Sequence, residues 1–178
     1  MPKPETNLEV SIRKAIVDDA RLISALATVS FYEAYFEQDD PHGLADYLNE
    51  NFMPEKIAAD ISSSENTFFI AFRRGKAVGY AKLKDGEPHE SVATENSVEL
   101  QRIYLVERVW GTGIGEILLK YCIDEAMSMG REVLWLGVWE ENQRGLSFYA
   151  KHGFVRVGTL TFPYGDSVGI NAVMRIEL

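Results

Sequence analysis

Gly111, Gly113 and Gly115 alternate through the heptapeptide WGTGIGE, directly after an extended apolar stretch and directly before an amphipathic one. The first turn of a helix leaves backbone N–H groups without intrahelical acceptors, with the positive end of the helix dipole behind them. Residues without a Cβ let an anion approach those groups closely. The spacing therefore predicts a cradle for the pyrophosphate of a cofactor, built from the amides of Gly111, Thr112, Gly113, Ile114, Gly115 and Glu116. Two familiar phosphate loops do not fit. A nucleoside-triphosphate loop needs Gly, four residues, then Gly-Lys-Ser/Thr, and no such run exists. A dinucleotide fingerprint needs a third glycine where Glu116 stands, and the acidic residue about 20 positions on, Glu132, opens its strand instead of ending it.

Other chemistries are poorly supplied. His42, His89 and His152 are too scattered for a zinc site, so no metal is expected. Cys122 is the single cysteine, which excludes an intrachain disulfide, and its place on an apolar helical face reads as core. No serine sits in a nucleophile elbow.

The elements that must hold the glycine turn follow from periodicity. Glu9 to Ala15 alternates as a first strand, and Asp18 or Asp19 is placed to cap a helix running to about Phe36. Two short helices open on prolines, Pro41 to Phe52 and Pro54 to Ser63. Strands Thr67 to Arg73 and Lys76 to Lys84 join across Arg74-Gly75 as a hairpin, and the polar stretch Asp85 to Ser97 reads as a surface loop. The central strand and glycine turn come next, then a helix from about Gly113 to Met129. That helix is expected to bury Ile114, Ile117, Leu118, Tyr121, Cys122 and Met129 and to end at Gly130. Val133 to Val138 is continuously apolar, as in a strand covered on both faces. Asn142 caps a helix over Gln143 to His152, and strands Phe154 to Thr161 and Val168 to Ile176 finish the chain. The result is a mixed α/β (α+β) sheet with helices packed on it.

A chain of 178 residues fits one domain. Its N-terminus, MPKPETNLEV, carries charge and proline where a signal peptide needs an apolar core, and no apolar run is long enough to span a bilayer, so a cytoplasmic protein is expected. With 18 Lys and Arg against 27 Asp and Glu, the net charge of −9 argues against nucleic acid as a partner and permits a cationic substrate, although acidity also serves solubility.

The glycine turn resembles motif A of the GNAT acetyltransferases, a strand followed by Gln/Arg-x-x-Gly-x-Gly/Ala at a helix start. Gly113 and Gly115 take the glycine positions, and Trp110 stands where Gln or Arg is usual. Arg108, Gly111 and Gly113 also fit the formula, but the strand-to-helix spacing favours the first register. LWLGVWEENQRGLSFYAKHGF, from Leu134 to Phe154, resembles motif B of the same superfamily. The segments ELQRIYLV, WLGVWEEN, FYAKHGF and FPYGD, with YEAYF and YLNENF upstream, are similar to those of PaiA-type polyamine acetyltransferases. Near the end, Asn171 stands where that group commonly has an aspartate.

The resemblance implies a GNAT fold of about seven strands whose central strands splay apart. It implies acetyl-CoA as co-substrate, with an acetyl group passing from a thioester to an amine. The pantetheine arm would add as an extended segment beside Ile103, Tyr104 and Leu105, with the amide of Leu105 a candidate oxyanion donor. Tyr149 matches the tyrosine that protonates the leaving thiolate in many members, or simply packs beside Phe148. Glu99 is the first candidate for the base that takes the ammonium proton, with Glu140 and Glu141 behind it. Asn142 is implied at the pantetheine and Lys151 at the terminal phosphate. Tyr32, Glu33, Tyr35, Phe36 and the Glu37 to Asp40 run could supply an aromatic and acidic mouth for a polyamine such as spermidine or spermine. Other acceptors, a protein N-terminus or a lysine among them, and a non-catalytic acyl-CoA sensor are the alternatives. A homodimer is common among the families it resembles.

Overall fold

The computed structural model describes residues 9–164 and 167–178. Its strands are β1 (Val10–Lys14), β2 (Asn66–Arg73), β3 (Lys76–Lys84), β4 (Ser97–Leu105), β5 (Val133–Trp139), β6 (Val155–Tyr164) and β7 (Ser167–Glu177). Its helices are α1 (Ala20–Tyr35), α2 (Pro41–Asn51), α3 (Pro54–Ser62), α4 (Ile114–Ser128) and α5 (Gln143–Lys151). The strands form one seven-stranded mixed sheet, in the order β1-β2-β3-β4-β5-β7-β6. The hairpin between β2 and β3 turns on Arg74 and Gly75, both at positive φ (50° and 71°), which suits a tight two-residue connection.

Each face of the sheet is covered by its own helices. Leu118 and Cys122 of α4 pack on Leu83, Val98, Leu100 and Leu134. On the opposite face Ile23 of α1 and Ile57 of α3 pack with Phe68, Ile70 and Tyr80. Cys122 is wholly buried, as its setting in the sequence suggests, and burial pushes its thiol well up.

Several expectations need correcting. Tyr121 is 44% exposed, and Leu119 and Ala126 are buried with Ile114, Leu118 and Cys122 instead. The stretch from Asp85 is not wholly a surface loop. Val92, in a short 3-10 turn over Glu90–Val92, is fully buried against Val133, Trp135 and Val173. Asp19 stands at the N-cap position of α1 but makes no side-chain cap hydrogen bond there. It takes both guanidinium nitrogens of Arg13 at 2.7 Å and the Ile16 N–H at 2.9 Å, stabilising the 3-10 turn Val17–Asp19 that precedes the helix.

Two irregularities in β4 create the site. β4 and β5 are parallel neighbours only from Ser97 to Glu99, against Val133 to Trp135. Beyond that point β4 stays with β3 up to Leu105↔Gly79, while β5 follows β7 to Trp139↔Asn171, so the central strands splay. The second irregularity is a bulge. Leu83 faces Leu100 and Lys82 faces Arg102, which leaves Gln101 as an extra residue. Side-chain alternation therefore slips by one. Leu100, Ile103 and Leu105 face the α4 core, while Arg102 and Tyr104 join Glu99 on the opposite face.

Candidate active site

Between the splayed strands lies a cleft of about 690 Å³, lined by β4 from Glu99 to Tyr104, by β5 from Gly137 onward, and by residues of α1, α2, α5, β6 and β7. The glycine turn lies between the end of β4 and the start of α4, and neither its residues nor Leu105 are among those lining the cleft. Gly111 and Gly113 have φ of 72° and 86°, the left-handed region that glycine enters without strain, and the space beside both α-carbons is open for 4 Å. Trp110 and Thr112 use their own amides to close the turn, on Glu107 O at 2.9 Å and Val109 O at 3.4 Å. The first intrahelical bond runs from Ile117 N to Gly113 O. The amides of Ile114, Gly115 and Glu116 precede it and, with those of Gly111 and Gly113, are the donors an anion can use. This arrangement fits a pyrophosphate.

The Trp110 side chain is no hydrogen-bond donor to a ligand. Its Nε1–H is committed to Leu105 O at 2.8 Å, and the Arg144 guanidinium lies 3.5 Å over its ring.

Backbone geometry makes the wall of β4 usable. Val106 N–H bonds to Val78 O on β3, so strand alternation turns the N–H and C=O of Leu105 and Ile103 toward the gap and those of Tyr104 toward β3. An extended amide-bearing ligand can thus pair with Ile103 and Leu105, with Tyr104 contributing its ring instead.

Tyr149 and Glu99 both line this cleft. Tyr149 projects from α5, with its ring edge-on to Phe148 at 5.3 Å and Phe154 at 5.5 Å. Burial raises its phenol well above the ordinary value, helped by Tyr35, so it is protonated across the neutral range. Burial also raises the Glu99 carboxyl, and Lys84, Lys82 and Arg102 pull it partly back. Asn142 lines the cleft too, and its Oδ1 accepts the Gly145 N–H at 2.8 Å, capping α5.

The remaining candidates are dispersed. Lys151 is exposed at the last turn of α5, outside the cleft lining. Glu116 lies on the outer side of the glycine turn, with its carboxylate 3.6 Å from His152 Nε2. Glu140 and Glu141 stand at the mouth, with Glu140 paired to Arg156. Of the expected acceptor mouth only Tyr35, Gln38 and Asp39 line the cleft. Glu33 instead accepts the Glu107 N–H at 2.7 Å, Asp40 caps α2, and Tyr32 and Phe36 stack on each other at 5.9 Å with both rings exposed. Gly165 and Asp166 of the FPYGD segment, like the leader before Glu9, lie outside the described residues.

A row of aromatic rings beside the cleft was missed in the sequence. Phe31 stacks on Tyr47 at 4.6 Å and meets Phe52 and Tyr104 at 5.5 and 5.7 Å, and Tyr35 continues the row to Trp139 at 6.1 Å. Arg102 lies 4.8 Å over Phe52, and its Nη1 is buried without a hydrogen-bond partner. Asn171 also lines the cleft, with a buried, unpartnered Oδ1. Among the described residues, no group of three His, Cys, Asp or Glu is disposed to hold a metal, and no helix is long and apolar enough to cross a membrane.

Comparison with known proteins agrees with this geometry. Residues 25–154 match the model of the acetyltransferase (GNAT) family. An uncharacterised N-acetyltransferase of Mycobacterium tuberculosis is 32% identical over 160 residues, covering 90% of this chain and 98% of the relative. A spermidine N(1)-acetyltransferase of Thermoplasma acidophilum is 26% identical, covering 83% of this chain and 89% of the relative. Among solved structures, the PaiA N-acetyltransferase of Thermoplasma acidophilum, in complex with coenzyme A, superimposes with a TM-score of 0.77 at 23% identity. It covers 96% of this chain and 100% of that one. With the family model spanning most of its length and its splayed strands meeting a glycine turn at the head of α4, this chain belongs to the GNAT family and is an acetyl-CoA-dependent N-acetyltransferase.

Proposed function

We propose that the protein acetylates a small cationic amine, a polyamine such as spermidine or spermine, with Tyr149 as general acid and Glu99 as general base. The observation that carries this reading is that both side chains line one cleft, whose acceptor side combines stacked aromatic rings with the carboxylates of Asp39, Glu99 and Glu141. Aromatic faces and carboxylates both favour an alkylammonium, and the chain's charge of −9 favours its approach. The likeness to a spermidine acetyltransferase supports the same acceptor class.

The thioester of acetyl-CoA supplies an activated acetyl group. The chain's own groups do the rest. The free amides from Gly111 to Glu116 hold the pyrophosphate, and the backbone of Ile103 and Leu105 aligns the pantetheine arm, with Asn142 beside it. The Leu105 N–H polarises the reacting carbonyl. An ammonium with a pKa of about 10 has no lone pair to attack with, so Glu99 takes its proton, directly or through a water. Tyr149 returns a proton to the departing sulfur. The protein is read as one catalytic domain working in the cytoplasm, as a monomer or a homodimer.

A second acceptor class has one observation in its favour. The unpartnered Arg102 Nη1 in the cleft wall would suit an amine that carries a neighbouring carbonyl or carboxylate, such as a peptide N-terminus. Free-thiol detection with spermidine, spermine, lysine, an aminoglycoside and an alanine-initiated peptide separates the two. Highest kcat/KM with the polyamines is expected. Turnover confined to the peptide would overturn the polyamine assignment.

A further inference from the structure

Trp110 occupies the motif position at which a polar side chain would reach toward the cofactor, and its only side-chain donor is committed to Leu105 O. The helix that crosses behind it offers a cation instead. Arg144, Phe148 and His152 are spaced by four and so share one face of α5. That face tracks the glycine turn step by step. The Arg144 guanidinium lies 3.5 Å over the Trp110 ring. Phe148 lies 3.8 Å from where a Cβ on Gly115 would stand, and His152 Nε2 is 3.6 Å from the Glu116 carboxylate. The first member of the stripe therefore sits where the turn begins, one residue before Gly111.

The charges around the turn make a fixed cation there consequential. Glu107 and Glu116 flank the cradle, and both oppose an incoming anion. Arg108 shares the turn with Glu107 but is exposed and makes no ring contact among the described residues. Arg144, by contrast, is held there by a ring. It is partly desolvated in that position, with Glu107 as its nearby counter-charge. A guanidinium stacked on an aromatic face keeps its edge N–H groups free for a bidentate anion contact.

We propose that Arg144, held on Trp110 as a platform, contacts the pyrophosphate of acetyl-CoA and supplies from α5 the side-chain contact that the glycine turn cannot. The inference rests on the cofactor site described above, not on the acceptor. Trp110 is then an adaptation and not a loss: it gives up its own contact and positions another residue's.

The test is calorimetric and needs no acceptor amine. Coenzyme A, its 3′-dephospho form and pantetheine are titrated into the wild type and into Arg144→Met, which keeps an apolar stem on the ring and removes the charge. Loss of one charge-assisted contact raises the dissociation constant about tenfold or more. That rise is expected for coenzyme A and the dephospho form alike, with pantetheine binding and thermal stability unchanged and with Arg144→Lys intermediate. A loss for coenzyme A alone would assign Arg144 to the 3′-phosphate and overturn the proposal. So would unchanged affinity for all three ligands, or a loss that extends to pantetheine with a fall in melting temperature. Failure of the wild type to bind coenzyme A would overturn the cofactor site itself.

Discussion

If Glu99 accepts the amine proton, removing a neighbouring positive charge must move the acid limb of the pH profile upward. Lys84 is its cross-strand partner on β3, and it is the largest of the charges that hold the carboxyl down against the effect of burial. The base works only when ionised, so kcat/KM falls as pH drops through the Glu99 pKa, which burial sets above the ordinary carboxylate value. Lys84→Gln removes a charge that favours ionisation, so the limb rises further. Charges about 6 Å apart interact by roughly 0.7 to 3 kcal/mol between effective dielectrics of 80 and 20, a displacement of about half to two pH units. The assay is kcat/KM against pH with one acceptor throughout. Deprotonation of the acceptor itself then contributes the same slope to every variant and cancels in the comparison. Glu99→Gln should lose about 10² to 10⁴ in rate and should keep only the slope that the acceptor contributes, without the Glu99 limb. A limb that stays in place in Lys84→Gln, or survives in Glu99→Gln, would refute the assignment.

Two further changes test other parts of the site. Tyr149→Phe keeps the ring between Phe148 and Phe154, so coenzyme A affinity by calorimetry should hold within about twofold while turnover falls about 10² to 10⁴; unchanged turnover would remove Tyr149 from the reaction. Gly79→Ala places a Cβ 2.3 Å from Leu105 Cδ2 and 2.5 Å from the Tyr104 carbonyl oxygen, and because that oxygen belongs to the backbone, β3 and β4 must shift. The cost is about 1 to 3 kcal/mol, or roughly 2 to 12 °C in melting temperature by scanning calorimetry, with weaker coenzyme A binding as Leu105 moves. An unchanged melting temperature would show that the two strands are less tightly paired there than their geometry indicates.

Most of the fold could be read locally because its determinants are local. Pro41 and Pro54 open helices where they stand, Arg74-Gly75 turns the hairpin, and Asn142 caps α5 three residues before the amide it bonds. The misreadings came where tertiary contact overrode the local pattern. Tyr121 fits the apolar stripe of α4 by spacing, yet Leu119 took the buried place. Val92 lies in a polar stretch, yet it fills the space beside Val133, Trp135 and Val173 on the far face of the sheet. Asp19 has the residue type of a helix cap, but Arg13, six residues earlier on β1, offered a charged partner.

The glycine turn of the candidate site was legible because backbone makes it, and glycines at a helix start announce backbone. The aromatic side of the cleft was not, because it is assembled from α1, α2, β4, β5 and β7, with no spacing that ties them together. The bulge at Gln101 matters most. Under strict alternation, Glu99 would share its face with Gln101, Ile103 and Leu105, leaving Arg102 and Tyr104 among the α4 core. One extra residue reverses this. It sends Ile103 and Leu105 into the core and brings a guanidinium and a phenol to the carboxylate's side of the sheet. Nothing in the hydrophobicity of ELQRIYL marks where the slip occurs. A register shift of one position thus decides which charges surround Glu99, and with them how readily its carboxyl ionises in the cleft.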